Sequence, residues 1–224
     1  MKDYLDWQEI KTVFLDLDGT LLDLHFDNHF WLEYVPVCFA DKHDLSHEEA
    51  SEKLMSHYRA AKGSLDWYCV DFWTRELDLD IEQLKHDVSH KIAVRPEVPE
   101  FLQSMRNAGK RIVLVTNAHP ASLSLKMKKT GLDKYFDRMI NAHDLGMAKE
   151  HDGFWKSLHE TEPFESSGTL LIDDNLEVLT SAEHYGIKYL LAILQPDSQA
   201  DEVETQHFYA VHSFKDMMPS ECTG

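Results

Sequence analysis

The sequence predicts an α/β fold: a doubly wound parallel sheet with a small all-helical cap inserted after the first strand. Three observations support this prediction. Short continuous runs of Val, Ile and Leu recur along the 224 residues, as in strands buried on both faces. Amphipathic helical patterns separate most of these runs, and parallel strands need such crossover connections. One connection, residues 24–92, is much longer than the others and contains no strand candidate.

Buried strands are expected at five apolar runs. In chain order they are "TVFLDL" (12–17), "RIVLVTN" (111–117), "RMINA" (138–142), "TLLIDD" (169–174) and "KYLLAIL" (188–194). A further run near the end of the chain, "HFYAVHSF" (207–214), predicts an edge strand.

Amphipathic helices are predicted between strands at 99–110, 120–131 and 175–186. Their patterns end at Gly109, Gly131 and Gly186, and glycine is favoured just after the last turn of a helix. The alternation of strand and helix predicts β-α-β units, and hence a doubly wound sheet.

The long connection is helical in pattern. Residues 46–49, "SHEE", form a capping box, and apolar residues follow at helical spacing. The run "LDWYCVDFWTREL" (65–77) predicts another helix. Because a structureless loop of this length is improbable, we predict a helical cap domain at 24–92 and an α/β core formed by 1–23 and 93–224.

Composition narrows the range of partners. A net charge of −18 disfavours binding to nucleic acid through a broad basic surface. The first ten residues lack an apolar signal core, and no apolar run reaches membrane-spanning length. Cys38, Cys69 and Cys222 show no paired metal-ligand spacing, which fits a reducing compartment. We expect a cytoplasmic protein that binds a small molecule, with neither nucleic acid nor membrane as a partner.

Chemically unusual residues follow the predicted strands. They are Asp16-Leu17-Asp18-Gly19-Thr20 after the first strand, Thr116-Asn117 after the second, Lys149 beyond the third and Asp173-Asp174 after the fourth. Ligands of doubly wound sheets gather outside these carboxyl ends. Asp16 and Asp18 would crowd one face, an arrangement that a cation or a shared proton relieves.

This four-part pattern resembles the signature of the haloacid dehalogenase superfamily of phosphohydrolases, from about residue 11 to residue 195. The resemblance implies that Asp16 is the nucleophile and that Asp18 is the acid, then the base. It also implies that Thr116 and the backbone amide of Asn117 hydrogen-bond the phosphoryl group, and that Lys149 neutralises charge. The haloacid dehalogenases themselves lack an Asp at the position of Asp18, so phosphate chemistry is favoured.

The resemblance further implies Mg²⁺ as cofactor. A carboxylate that attacks a phosphate dianion is repelled, so a hard cation must reduce the negative charge, and carboxylate oxygens suit it. Asp16 is implied as a ligand, as is the backbone carbonyl of Asp18. Asp174 is the expected direct ligand from the fourth strand, with Asp173 acting directly or through water.

Longer segments resemble the bacterial GMP/IMP nucleotidases of this superfamily. They are "DLDGTLLDLHFDNHFW", "DWYCVDFW", "VTNAHPASL" and "LLIDDNLEVL". The resemblance implies a 5'-nucleotidase that acts on purine nucleoside monophosphates.

The helix predicted at 65–77 suggests how the cap meets the purine base. On a helical wheel one apolar stripe forms, consisting of Leu65, Tyr68, Cys69, Phe72 and Trp73. Trp67 and Asp71 lie together on the other side, one turn apart. We predict that these two residues and His119 bind the substrate.

Other functions remain open at this point. A sugar-phosphate or phosphoglycolate phosphatase, or a mutase similar to β-phosphoglucomutase, would share every core residue. A non-catalytic binding or regulatory module is less favoured, because such a protein has no need of Asp16, Asp18, Thr116, Lys149 and Asp174 together.

Overall fold

The structure, a computed structural model, describes residues 4–218. Cys222 lies outside this range. The strands of the sheet are β1 (Thr12–Leu15), β2 (Arg111–Thr116), β3 (Arg138–Asn141), β4 (Thr169–Asp173), β5 (Tyr189–Ile193) and β6 (Tyr209–Val211).

All six strands are parallel and form one sheet in the order β3-β2-β1-β4-β5-β6. The predicted fold class is therefore confirmed, and the run at 207–214 does contain an edge strand. On one side of β1 lie β2 and then β3, and on the other side lie β4, β5 and β6. The topological switch lies between β1 and β4, where such sheets bind their ligands.

Ten α-helices surround or cap the sheet in the described part of the chain. They are α1 (His25–His29), α2 (Val35–His43), α3 (His47–Ala61), α4 (Val70–Leu77), α5 (Ile81–Asp87), α6 (Val98–Asn107), α7 (Pro120–Thr130), α8 (Ala142–Leu145), α9 (Phe154–Thr161) and α10 (Leu176–Tyr185). None of the helices among residues 4–218 is long and apolar enough to cross a membrane.

The core has a layer of side chains on each face of the sheet. Because strand residues alternate between faces, Val13 and Leu15 pack with α6, whereas Phe14 packs with α9. Gly131 and Gly186 adopt left-handed conformations at the ends of α7 and α10, as predicted from the sequence.

From α1 to the 3₁₀ turn at Ser89–Lys91 the chain forms only helical elements and the turns that join them, and these enclose a separate aromatic-rich core. The predicted capping box at Ser46 and Glu49 is present at the start of α3. A π-helical turn, Phe30–Tyr34, precedes α2, and the Val35 N–H donates to the Phe30 carbonyl. Pro36 explains this turn, because it has no N–H to continue a regular helix.

The two chain segments that join this helical region to the sheet lie side by side. Leu22 forms an antiparallel bridge with Val94, and the Asp23 N–H donates to the Ala93 carbonyl at 3.0 Å. The helical region therefore enters and leaves the core at one place. Its boundaries at 24 and 92 remain our prediction.

The single helix predicted at 65–77 is wrong. Residues 65–68 form a 3₁₀ turn, Cys69 is extended, and α4 begins at Val70. Trp73 is part of the reason, because its indole N–H donates to the Trp67 carbonyl at 2.8 Å and fixes the break.

The predicted apolar stripe is consequently wrong as well. Leu65 packs against the sheet core, and Tyr68 lines the cavity described below. Trp67 packs against the aromatic core of the cap and does not lie opposite it, whereas Asp71 is exposed.

Candidate active site

The site lies at the switch between β1 and β4. Leu15 pairs with Ile172 in the register of these strands, so Asp16 and Asp173 are neighbours at their carboxyl ends. The Asp16 N–H donates to the Ile172 carbonyl at 3.0 Å, which extends the ladder to the first carboxylate of the site.

Lys149 joins the carboxylates of both strands. Its ammonium lies 2.5 Å from Asp16 Oδ1 and 2.6 Å from Asp173 Oδ2, and it donates to the Val115 carbonyl at 3.2 Å. Burial lowers the pKa of Lys149, but the Asp16 and Asp173 carboxylates outweigh burial and raise it overall. The lysine therefore stays charged in a buried position.

Asp174 completes a group of three carboxylates. Oxygens of Asp16, Asp173 and Asp174 lie within 4.8 Å of one another. Burial raises the pKa of Asp174 well above its ordinary value, and the charge of Asp16 acts in the same direction. Gly19 allows this packing, since a Cβ there would lie 2.4 Å from Asp174 Oδ2 and its φ is +83°.

This group suits a hard divalent cation. The donors are carboxylate oxygens, which Mg²⁺ prefers, and their mutual repulsion calls for positive charge. Asp173 already bonds Lys149, and its Oδ1 accepts the Asn175 N–H at 3.0 Å. Asp174 has no hydrogen bond from any residue between 4 and 218, so its oxygens are the more available ligands.

The second and third predicted segments meet through Asn117. Its side-chain oxygen accepts the Lys149 backbone N–H at 2.9 Å, and its amide group donates to Glu150 Oε2 at 2.9 Å. Thr116 is buried beside it, with its hydroxyl oxygen accepting the Ala118 N–H. Thr116 and Asn117 thus stand where the sequence placed them, at the end of β2.

Glu150 is a site residue that sequence reasoning missed. Its Oε1 accepts the Tyr68 hydroxyl at 2.5 Å and the Asn175 side-chain amide at 2.9 Å. With the Asn117 contact, it joins the loops after β2, β3 and β4 to the cap. Its position next to Lys149 was the only signal available in the sequence.

Asp18 lines the cavity described below but is not one of the three clustered carboxylates, and it pairs with a different lysine. Its Oδ1 lies 2.7 Å from the ammonium of Lys126, and the two form a buried ion pair. Burial raises the pKa of Asp18 to about 6, with Lys126 opposing this shift. Lys126 also donates to Asp27 at 2.7 Å, and Asp27 pairs with Lys85 at 3.1 Å. The sequence did not single out Asp27, Lys85 or Lys126.

A cavity of about 310 Å³ opens over these groups and is roofed by the cap. Nine predicted site residues line it: Asp16, Asp18, Trp67, Thr116, Asn117, His119, Lys149, Asp173 and Asp174.

Asp71 is the predicted site residue that is absent from the described lining of this cavity. Its side chain is 71% exposed, and its Oδ2 lies 3.7 Å from His119 Nε2. Burial lowers the pKa of His119 despite the Asp71 carboxylate, which favours a neutral imidazole.

The doubly wound parallel sheet, with a carboxylate cluster and a buried lysine at its switch point, defines the class of protein: a hydrolase whose core is this α/β sheet. The family model described as haloacid dehalogenase-like hydrolase matches residues 10–186, and the chain belongs to this family.

Comparison with known proteins adds relatives within the family. The GMP/IMP nucleotidase YrfG of Escherichia coli (strain K12) is 36% identical over 214 residues, which cover 96% of each chain. The (S)-2-haloacid dehalogenase of Pseudomonas sp. (strain YL) is 23% identical, over 79% of this chain and 80% of that one. A HAD phosphatase from Thermococcus onnurineus superposes with a TM-score of 0.77 at 26% identity, covering 92% and 95% of the chains. The resemblance to the superfamily and to its nucleotidases is thus confirmed.

Proposed function

We propose that the protein is a Mg²⁺-dependent phosphomonoesterase that hydrolyses purine nucleoside 5'-monophosphates such as GMP and IMP. One observation carries the proposal. The buried Asp16 carboxylate shares a capped cavity with the Lys149 cation, an oxygen cluster suited to Mg²⁺, and a second acidic residue, Asp18.

The reaction proceeds in two steps. An Asp16 oxygen forms a bond to phosphorus as the bond from phosphorus to the nucleoside 5'-oxygen breaks, and Asp18 donates its proton to that oxygen. Asp18 then removes a proton from water, whose oxygen attacks phosphorus as the bond to Asp16 breaks. Inorganic phosphate leaves, and both carboxyl groups return to their starting states.

The other residues of the site bind and neutralise the phosphoryl group. Thr116 and the Asn117 amide hydrogen-bond its oxygens, while Lys149 offsets the charge on both nucleophile and phosphate. Asp16, Asp174 and the Asp18 carbonyl would hold Mg²⁺, with Asp173 acting directly or through water, and the ion would supply further positive charge.

The purine preference is supported by the relative and by the cavity. The Escherichia coli relative is named a GMP/IMP nucleotidase. The cap contributes Trp31, Tyr58 and Trp67 to the cavity wall, and aromatic rings favour the large face of a purine. His119 also lines the cavity, and Asp71, which lies outside the lining but 3.7 Å from His119 Nε2, is a candidate acceptor for the N1–H shared by guanine and hypoxanthine.

Phosphate release distinguishes the candidate functions. The purified protein is assayed with GMP, IMP, AMP, UMP, glucose phosphates and phosphoglycolate, in Mg²⁺ and in EDTA. We expect the highest kcat/KM for GMP and IMP and no turnover in EDTA. A preference for sugar phosphates or phosphoglycolate contradicts the nucleotidase assignment. Interconversion of glucose phosphates with little phosphate released indicates a mutase.

A further inference from the structure

Four charged side chains of alternating sign run from the cap to the catalytic cavity. Lys85 of α5 pairs with Asp27 of α1 at 3.1 Å, Asp27 with Lys126 of α7 at 2.7 Å, and Lys126 with Asp18 at 2.7 Å. All four residues line the cavity. This ion chain (Lys85, Asp27, Lys126 and Asp18) is not part of the reaction steps described above, apart from Asp18 itself.

Lys126 is an unusual lysine for a helix on the outside of a sheet. Its side chain is 1% exposed, whereas Lys128 and Lys129 of the same helix are exposed to solvent. Burying an ammonium is costly unless it is paired, and Lys126 is paired on both sides. A buried lysine at this position is therefore explained by its pairing with the carboxylates of Asp18 and Asp27.

Asp18 depends on this lysine for its placement. Its Oδ1 is buried, and the ammonium of Lys126, 2.7 Å away, is the cation beside it. Lys126 in turn is fixed by its hydrogen bond to Asp27, which the cap contributes.

We infer that Lys126 is a positioning residue that holds the Asp18 carboxyl group where it meets the leaving oxygen of the substrate. Asp27 and Lys85 of the cap hold the ammonium of Lys126 beside Asp18. The Asp18 carboxyl group is therefore in position to donate its proton when the cap covers the cavity. The inference rests on the proposed phosphatase function. It goes beyond that function because it assigns a task to three residues outside the phosphoryl site.

The chemistry of the leaving group provides a direct test. As Asp16 bonds to phosphorus, the departing oxygen of a nucleoside must gain the Asp18 proton, because an alkoxide is a poor leaving group. A nitrophenolate leaves readily without that proton, and phenolate is intermediate. Loss of the positioning residue should therefore lower kcat/KM by a different factor for each of the three esters. Loss of a phosphate-binding or cap-folding residue should lower kcat/KM for all three by the same factor.

The experiment measures kcat/KM for GMP, phenyl phosphate and p-nitrophenyl phosphate in wild type and Lys126→Met, with saturating Mg²⁺. This ratio reports the steps through phosphoryl transfer to Asp16, and hence departure of the leaving group. General acid catalysis contributes roughly 10²–10⁴-fold, so we expect GMP to lose about 10–100-fold more than p-nitrophenyl phosphate, with phenyl phosphate between them. Lys129→Met, an exposed lysine on the same helix, is the matched control and should resemble wild type.

Equal losses on the three esters by folded Lys126→Met overturn the inference and leave the phosphatase function standing. A wild type inactive on every ester overturns the function instead. If Lys126→Met does not fold, the double variant Asp27→Asn/Lys126→Met removes one charge of each sign and keeps the buried charge balanced. It should show the same graded loss, and an ungraded loss in that variant also overturns the inference.

Discussion

At the scale of single residues, the proposed nucleophile, Asp16, lies in surroundings that oppose its charge. Burial raises the pKa of Asp16 to about 6; Lys149 acts against this shift, and the charge of Asp173 adds to it. Positive charge from Lys149 therefore favours the ionised carboxylate, and in the proposed mechanism a bound cation would add to it.

Asp16→Asn should abolish turnover and leave a folded protein. The amide has almost the same shape but is a poor nucleophile, so no phosphoaspartate can form. The measurement is GMP turnover alongside circular dichroism, with mass spectrometry to confirm that the amide has not deamidated. Near wild-type turnover by a verified preparation would remove Asp16 from the proposed mechanism.

Lys149→Met should lower kcat by at least about 10²-fold, the usual effect of losing one preorganised donor to the developing charge. It should also lower the melting temperature, because two buried carboxylates lose their cation. Turnover is therefore expressed per folded molecule. Normal turnover of the folded fraction would mean that Lys149 acts only in stability.

The residues proposed for the phosphoryl site could be selected from the sequence because each of them ends a strand, directly follows one or lies in the segment after one. Glu150, Lys126 and Asp27 escaped notice for a physical reason. Their partners are distant in sequence, as in the Lys126–Asp27 pair, 99 residues apart. Isolated charged residues in helical patterns normally face solvent, and only the folded chain shows which of them are buried.

At the scale of elements, the break before α4 decides which cap side chains reach the cavity. Helical periodicity fits 65–77 as one helix, and the sequence could not reveal that Cys69 would leave it. The reason lies in tertiary contacts, since the Trp67 carbonyl accepts the Trp73 indole N–H and the Tyr68 hydroxyl donates to the Glu150 carboxylate. Strand positions were easier to predict, because continuous apolar runs suit a sheet buried on both faces.

Trp67→Ala should reduce kcat/KM for GMP and IMP by about 10–100-fold, the usual value of one base–aromatic stack, while a generic phosphate ester should lose little. Asp71→Asn should reduce the preference for GMP and IMP over AMP, if Asp71 accepts the N1–H of the base. Efficiencies for GMP, IMP, AMP, UMP and the generic ester test both variants. Uniform losses would assign these residues to folding or closure of the cap.

Tyr68→Phe should raise KM for every substrate by about tenfold, because it removes one hydrogen bond to a charged group between cap and core. Tyr34→Phe is the matched control, as its hydroxyl contacts Asp87 within the cap, and it should leave KM unchanged. A loss confined to purine nucleotides would instead indicate that Tyr68 reads the base.

At the scale of the whole molecule, Asp27 ties the cap to the core by charge. Burial alone would raise its pKa, but Lys126 and Lys85 lower it from 3.8 to about 2. A carboxyl group with a lowered pKa stabilises the fold above its unfolded pKa, and this contribution disappears as pH falls through the folded pKa. The relevant window therefore lies between about pH 4 and about pH 2.

Asp27→Asn should lower the free energy of unfolding at pH 6, and the difference from wild type should shrink by about 2 kcal/mol towards pH 2. Urea unfolding of both proteins across this range measures it. Asp41→Asn, at an exposed position on α2, provides the control and should show no such narrowing. A pH-independent difference would mean that Asp27 contributes through shape and not through charge.

The bridge between Leu22 and Val94 has a consequence for how enzymes of this architecture can diversify. Because the inserted segment begins and ends at one point, a gene fragment that encodes a different cap can replace it there without displacing the strands of the core. Two partners on the scaffold limit the choice, however. Any foreign segment must offer a carboxylate to Lys126 and a donor to Glu150, or it leaves the buried ammonium and the half-buried carboxylate each short of a partner. Recombination can therefore change substrate specificity freely only among caps that carry a carboxylate for Lys126 and a hydrogen-bond donor for Glu150.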